Sequence, residues 1–239
     1  MDTIDKSRIL YISDQCLVIN KIAGEAVEGA GEGMTDLPTV LAEQFGTVKK
    51  GRRIFQPAAV HRLDVPVSGC ALFARTPGAL SLLNAAFAGE RAEKYYWAII
   101  ENPQKEIPET GELIHWIGID RKRNKSVACS EKGQGRKQGI LRYRIKAGGR
   151  KYLFMEIELV TGRHHQIRAQ LAALGLYIKG DLKYGARRSE KGGGIRLHAR
   201  SLYFPEPSGD GGIVHVSAPP PGKDKLWQDF ETGGLPQEK

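Results

Sequence analysis

Cysteine is scarce in this sequence: Cys16, Cys70 and Cys129 are the only three in 239 residues. They are odd in number, far apart and never spaced C-x-x-C, which argues against a disulfide framework and a thiolate zinc site and fits a reducing compartment. Long apolar runs are missing as well. Nothing approaches the roughly 18 consecutive apolar residues of a membrane span, and the opening MDTIDKSRIL has no hydrophobic signal region. A cytoplasmic protein without a membrane partner is expected. None of the six histidines has another at i+3 or i+4, and no carboxylate cluster offers the geometry a divalent ion needs, so no metal is expected. Gly180, Gly185 and the run Gly192 to Gly194 form neither G-x-x-x-x-G-K-[ST] nor G-x-G-x-x-G between a strand and a helix, leaving nucleotide cofactors unsupported. No serine occupies a G-x-S-x-G elbow. With no internal repeat, no heptad register and no long Pro-rich linker, residues 1–239 read as a single domain, two small lobes being the limit, with 231–239 as a flexible tail.

What is present is positive charge. Thirty-six Lys and Arg stand against 27 Asp and Glu, a formal net charge of +9, while 41% hydrophobic residues leave enough material for a sizeable core. The cations cluster at Lys49, Lys50, Arg52 and Arg53, at Arg121, Lys122, Arg123 and Lys125, at Arg136 and Lys137, and at Arg187, Arg188 and Lys191. All four clusters fall in turn-like segments, as solvated loops would, or as loops wrapping a polyanion backbone would.

Periodicity sketches the elements. Ile9 to Ile12 and Cys16 to Asn20 read as strands around the turn residues Ser13 and Asp14, Leu37 to Phe45 as a short helix with Pro38 at its start, and Cys70 to Ala74 as a buried strand. Thr76 can cap a helix with Pro77 in its first turn, Leu80, Leu83 and Phe87 on one face and Gly89 at its end. Lys94 to Ile100, Leu141 to Lys146, Tyr152 to Val160, Arg196 to Phe204 and Ile213 to Ser217 read as strands, and the middle of the chain as a polar loop. After Val160, Thr161 and Gly162 turn into a helix carrying Ile167, Leu171 and Leu174 on one face, capped by Gly175. A short helix follows Pro219 to Pro221. Strands and helices mix without regular alternation, which indicates an α+β domain with a mixed, largely antiparallel central sheet and flanking helices.

Two constellations can carry chemistry. His61-Arg62-Leu63-Asp64 presents a guanidinium and a carboxylate at a chain reversal, where the plain alternative is an Asp capping a turn and an Arg at the surface. Thr161 to Arg168 places Arg163 in a turn and sets His165 and Arg168 three apart on a helix face opposite the apolar stripe, where the plain alternative is a solvated helix start.

Together HRLDVPVSG (61 to 69), KYYWA (94 to 98), TGRHHQIR (161 to 168), GDLKYG (180 to 185) and LHA (197 to 199) resemble the RluA-type pseudouridine synthase family, and ILYISDQCLVINKIAG (9 to 24) resembles its first strand pair. The resemblance implies an enzyme that converts a uridine of structured ribosomal or transfer RNA to its C5-glycoside, with no cofactor and no metal, as a monomer with a central RNA-binding cleft. It implies Asp64 as the catalytic aspartate, Tyr96 in the pocket, Arg168 as the arginine paired with the aspartate, and Arg62 beside the extruded base. His61, Lys94, Arg163, His165 and Ile167 complete the expected substrate-binding set, although His61, like His198 and Lys21, also suits a structural or phosphate-contacting place. Whether Asp64 attacks C6 of the ring, attacks C1′ of the sugar or abstracts a ribose proton stays open. Val67, Ile22, His164 and Gln170 depart from residues usual in the family, and the chain is expected to begin at the catalytic domain, without the small N-terminal RNA-binding domain of many relatives. Asp181 reads as a structural residue fixing its own turn. Two other readings are an idle RNA-binding scaffold and a glycosidase-like hydrolase pairing Asp64 with Asp181.

Overall fold

In a computed structural model that describes residues 3–31, 33–50, 53–89, 91–103, 105–208, 211–222 and 224–232, the elements run in chain order. They are β1 (Ile9–Ile12), β2 (Cys16–Lys21), α1 (Leu37–Phe45), β3 (Val48–Lys50), β4 (Arg53–Phe55), β5 (Ala58–Ala59), β6 (Ser68–Ala74), α2 (Pro77–Ala88) and β7 (Glu93–Glu101). Then come β8 (Thr110–Asp120), β9 (Lys125–Cys129), β10 (Lys137–Gly148), β11 (Tyr152–Leu159), α3 (Gln166–Ala173), β12 (Leu197–Pro205), β13 (Ile213–Ser217) and α4 (Lys225–Glu231). Single 3-10 turns lie at Lys6–Arg8 and Leu182–Tyr184. The result is the expected α+β class: a mixed, mostly antiparallel sheet with a few helices. The chain folds as two compact units. The expected tail at 233–239, and Arg52 of the first basic cluster, lie outside the described residues.

The first unit, Met1–Glu93 with Ala199–Pro219, carries the strand order β1-β2-β6-β12, with β5 beside β6 and β13 beside β12. β6 is buried along its whole length, as its unbroken apolar run demands. Cys16 and Val18 of β2, which face Ala74 and Leu72 of β6, pack with Leu83 of α2, Leu202 and Phe204 of β12 and Val216 of β13. α2 starts where Thr76 accepts the N–H of Ala79 at 3.2 Å with Pro77 in the first turn, and it stops at Gly89. Its Leu80 and Phe87 rest against the same cluster.

The second unit, Lys94–His198 with Pro220–Lys239, carries the order β7-β11-β10-β8-β9, all antiparallel. Here one expectation fails: the middle of the chain is a hairpin of β8 and β9 rather than a polar loop. Leu113 and Ile117 of β8 are buried while Ile114 and Ile119 are exposed, so apolar residues fall on both faces and hide the period-two signal. The basic run Arg121 to Arg123 forms the hairpin turn, closed by Asp120 Oδ1 accepting the N–H groups of Lys122 and Arg123. α4, capped by Asp224 through the N–H of Leu226 at 2.9 Å, buries Trp227 and Phe230 against Ile99 and Phe154. No helix among the described residues is long and apolar enough to cross a membrane.

Candidate active site

The first unit presents Asp64 on the loop between β5 and β6. Leu63 is buried and anchors the loop, Arg62 is exposed and Asp64 is half-buried. The N–H of Val67 donates to the carbonyl of Asp64 at 3.0 Å, which makes Val65 and Pro66 the centre of a tight turn. Two features hold this turn in place. At Gly69, φ is +114° and a Cβ would come within 2.3 Å of the Ala199 carbonyl oxygen, so only glycine fits between β6 and β12. Beneath the turn, the fully buried Lys21 donates from Nζ to the carbonyls of Val67 at 2.6 Å and of Val65 and Ile22 at 3.0 Å. Burial pushes its pKa down to about 8, against the opposing pull of the Glu25 and Asp64 carboxylates. Glu25 is fixed in turn by the N–H of Ile22 at 2.9 Å and by Arg8 at 2.5 Å. Lys21 is therefore a structural cation, one of the two places its sequence context suggested.

His61 is held by its own neighbours. Its Nε2 accepts the N–H of Leu72 at 3.3 Å and its ring stacks on Phe87 with centroids 5.3 Å apart. Acceptance at Nε2 fixes the proton of a neutral ring on Nδ1.

The second unit holds the other candidates. Tyr96 sits in the middle of β7 opposite Ile157 of β11 and is 5% exposed, and Lys94 on the same face of the strand is also buried. At the start of α3 the side chain of Gln166 acts as a clamp: Oε1 accepts the N–H of Arg163 and the hydroxyl of Thr161, while Nε2 donates to Ile140 O. Arg163 Nε reaches Gln138 O at 2.9 Å. His165 enters the helix in the left-handed region (φ 50°), a costly conformation for a non-glycine residue that its contacts must secure. Its ring stacks on His164 at 3.8 Å, and its Nδ1 lies 3.0 Å from the Tyr184 hydroxyl.

Arg168 departs from the expected helix surface: residues Gln166 to Leu171 are all buried, and Arg168 is 4% exposed. Its Nε and Nη2 donate to Oδ2 and Oδ1 of Asp181 at 2.7 and 2.8 Å, a buried fork-on-fork pair, with the guanidinium carbon 4.9 Å from the Tyr184 ring centroid. This corrects the reading of Asp181. Its carboxylate serves Arg168, and the GDLKYG turn is made by backbone instead, the Asp181 carbonyl accepting from Tyr184 and Ala186. Tyr184 then ties the assembly to β9, accepting the N–H of Ser126 at 2.8 Å. The Ser126 hydroxyl gives its proton to His164 O at 2.6 Å, so the His164 Nδ1 at 2.9 Å must donate to it. Ile167 is buried in the packing of α3.

Sequence reasoning found Asp64, Tyr96 and Arg168 but gave Asp181 the wrong task and missed Ser126 and Tyr184. Ser126 lay in the segment read as loop, and for Tyr184 the only signal was its place inside GDLKYG. Among the described residues there is no group of three His, Cys, Asp or Glu side chains placed to hold a metal ion.

Comparison with known proteins agrees with the motifs. Residues 15–173 match the family described as RNA pseudouridylate synthase. An uncharacterized RNA pseudouridine synthase of Zymomonas mobilis is 33% identical over 82% of this chain and 86% of its own. The ribosomal large subunit pseudouridine synthase C of Salmonella typhi is 31% identical over 88% of this chain and 66% of its own. Among solved structures, human RNA pseudouridylate synthase domain containing 4 superposes with a TM-score of 0.71 over 95% of this chain and 92% of its own, at 20% identity, a likeness of fold.

Proposed function

The chain belongs to the RNA pseudouridylate synthase family, enzymes that isomerise uridine in RNA to pseudouridine, and from that premise we propose that Asp64 is the group that acts on the target nucleotide. The reaction breaks the bond between C1′ and N1 of the base and rejoins C1′ to C5, which gives up its proton. Asp64 serves as nucleophile or base. The observation that supports this most directly is its place on a turn whose backbone is tied by Lys21 and confined by Gly69: a reacting group benefits from being held in one geometry.

Tyr96 offers a ring face for the extruded base and a hydroxyl able to take the C5 proton. Arg168 supplies the positive charge that keeps a carboxylate ionised in an enclosed pocket, where desolvation favours the neutral form. A guanidinium has five donors, and Asp181 takes two of them. The substrate is a structured ribosomal or transfer RNA whose target base leaves its stack on binding, at a cost of a few kcal/mol that basic contacts and pocket stacking offset.

Asp64→Asn tests the reading. The isostere keeps the shape but can act neither as nucleophile nor as base, so tritium release from C5-labelled uridine RNA should vanish while RNA affinity stays within several-fold. Turnover by the folded variant overturns the role of Asp64. Mapping pseudouridine in total RNA from cells with and without the gene identifies the target.

A further inference from the structure

The second unit carries a feature that the isomerisation does not use: a cleft of about 910 Å³ at the far end of β7 and β11, lined by Glu101 and Tyr152 where those strands pair and by the loops 150–151 and 187–191. Seven of its lining residues are Lys or Arg and three are Asp or Glu. The three carboxylates are already engaged. Glu190 takes Lys179 and, at 2.6 Å, Arg196. Asp224 takes Arg196 at 2.6 Å and the N–H of Leu226. Glu101 accepts the N–H of Arg187 at 3.1 Å.

The cations outnumber these partners. Lys151, Arg188 and Lys191 are exposed at the mouth, and the structure gives none of them an ion pair. Deeper in, Arg196 Nε is buried with no acceptor among the described residues. Lys179 feels the same excess: burial and the neighbouring Arg196 lower its pKa below the ordinary lysine value.

We propose that this cleft binds the sugar-phosphate backbone of the substrate RNA at a distance from the target uridine. Its point charges are spread over two loops and open to solvent, which suits successive phosphates of one strand better than a single small anion, for which an enclosed ring of donors is the usual design. Glu101 lies five residues beyond Tyr96 on β7, about 17 Å at the rise of a strand. That is the span of about five phosphates along one strand of a duplex. The inference rests on the family's RNA substrate and adds a length requirement to it: RNA must extend about five nucleotides from the target uridine before the cleft contributes.

The test uses the full-length chain bearing Asp64→Asn, with anisotropy of a labelled stem-loop as the readout. A second RNA is trimmed to within three nucleotides of the target. The triple variant Lys151→Gln, Arg188→Gln, Lys191→Gln, checked by thermal melting, should weaken binding of the long RNA at least tenfold and of the trimmed RNA less than twofold. The slope of log K against log salt should flatten by about 2 for the long RNA only. Equal losses on both RNAs, or no loss on either, overturn the proposal. So does competition by inorganic phosphate or a mononucleotide at micromolar concentration that the variant abolishes, because the site would then be one for a small anion. The readout is binding and not turnover, so failure of the wild-type chain to form pseudouridine would count against the enzymatic reading and not against the cleft.

Discussion

At the scale of single residues, the two buried cations set the terms. Lys21 titrates near 8 in the folded chain and at its ordinary 10.5 when unfolded. Between those values the unfolded state binds more protons, so stability rises with pH across that window and gains nothing from this residue below it. The rise is at most about 3 kcal/mol, and urea titrations at pH 7.5 and pH 10 should show it in the wild-type chain and not in Lys21→Met. At pH 7.5 the same variant leaves three carbonyls without their donor, so its kcat should fall as the Asp64 turn loosens. Arg168 needs a different experiment. Arg168→Met alone strands the buried Asp181 carboxylate, at a cost of about 3–5 kcal/mol, whereas Arg168→Met with Asp181→Leu removes both charges and should fold nearly as well as wild type. If Arg168 keeps Asp64 ionised, this double variant lowers kcat far more than it raises KM, and its activity recovers as pH rises. A normal kcat at neutral pH removes Arg168 from the mechanism. The sequence singled out Asp64, Tyr96 and Arg168 because their types and motif settings speak for themselves. It was silent on why Lys21 and Asp181 matter, because each acts on partners 13 to 46 positions away that no local pattern announces.

At the scale of elements, α1 and α2 were legible because their stop and start signals are chemical: Asp36 and Thr76 as caps, prolines in the first turns, Gly46 and Gly89 at the ends. Thr76→Ala removes the oxygen that accepts the Ala79 N–H and should cost about 1 kcal/mol in denaturant titration, with activity unchanged. The β8–β9 hairpin escaped notice for the opposite reason, its apolar residues being divided between a buried and an exposed face. α3 was placed correctly in the chain and wrongly oriented. Its mean character is balanced rather than apolar, yet every residue from Gln166 to Leu171 is enclosed, the polar ones by Asp181, Thr161 and the carbonyls of Leu113 and Gly139. A helix that buries polar side chains through such partners leaves no amphipathic stripe to read.

At the scale of the whole molecule, a net charge of +9 carries its own expectation. RNA affinity should fall steeply with salt, and neutralising Arg121 and Arg123 at the hairpin turn should weaken many RNAs by a similar factor while changing the choice of uridine little. Arg62 belongs to a different class. It is exposed, two residues before Asp64, and Arg62→Ala should slow conversion of a folded stem-loop much more than of an RNA whose target uridine is already extruded, since less unstacking is then required. Equal losses on the two substrates reduce it to a phosphate contact.

The tie between Lys21 and the Asp64 turn is made to carbonyl oxygens, which every amino acid supplies. The identity of the side chain at the half-exposed Val65 is thus uncoupled from the geometry of the turn. A library randomised at that position would keep its scaffold while varying the surface beside the aspartate, which makes position 65 a handle for retargeting the enzyme by directed evolution.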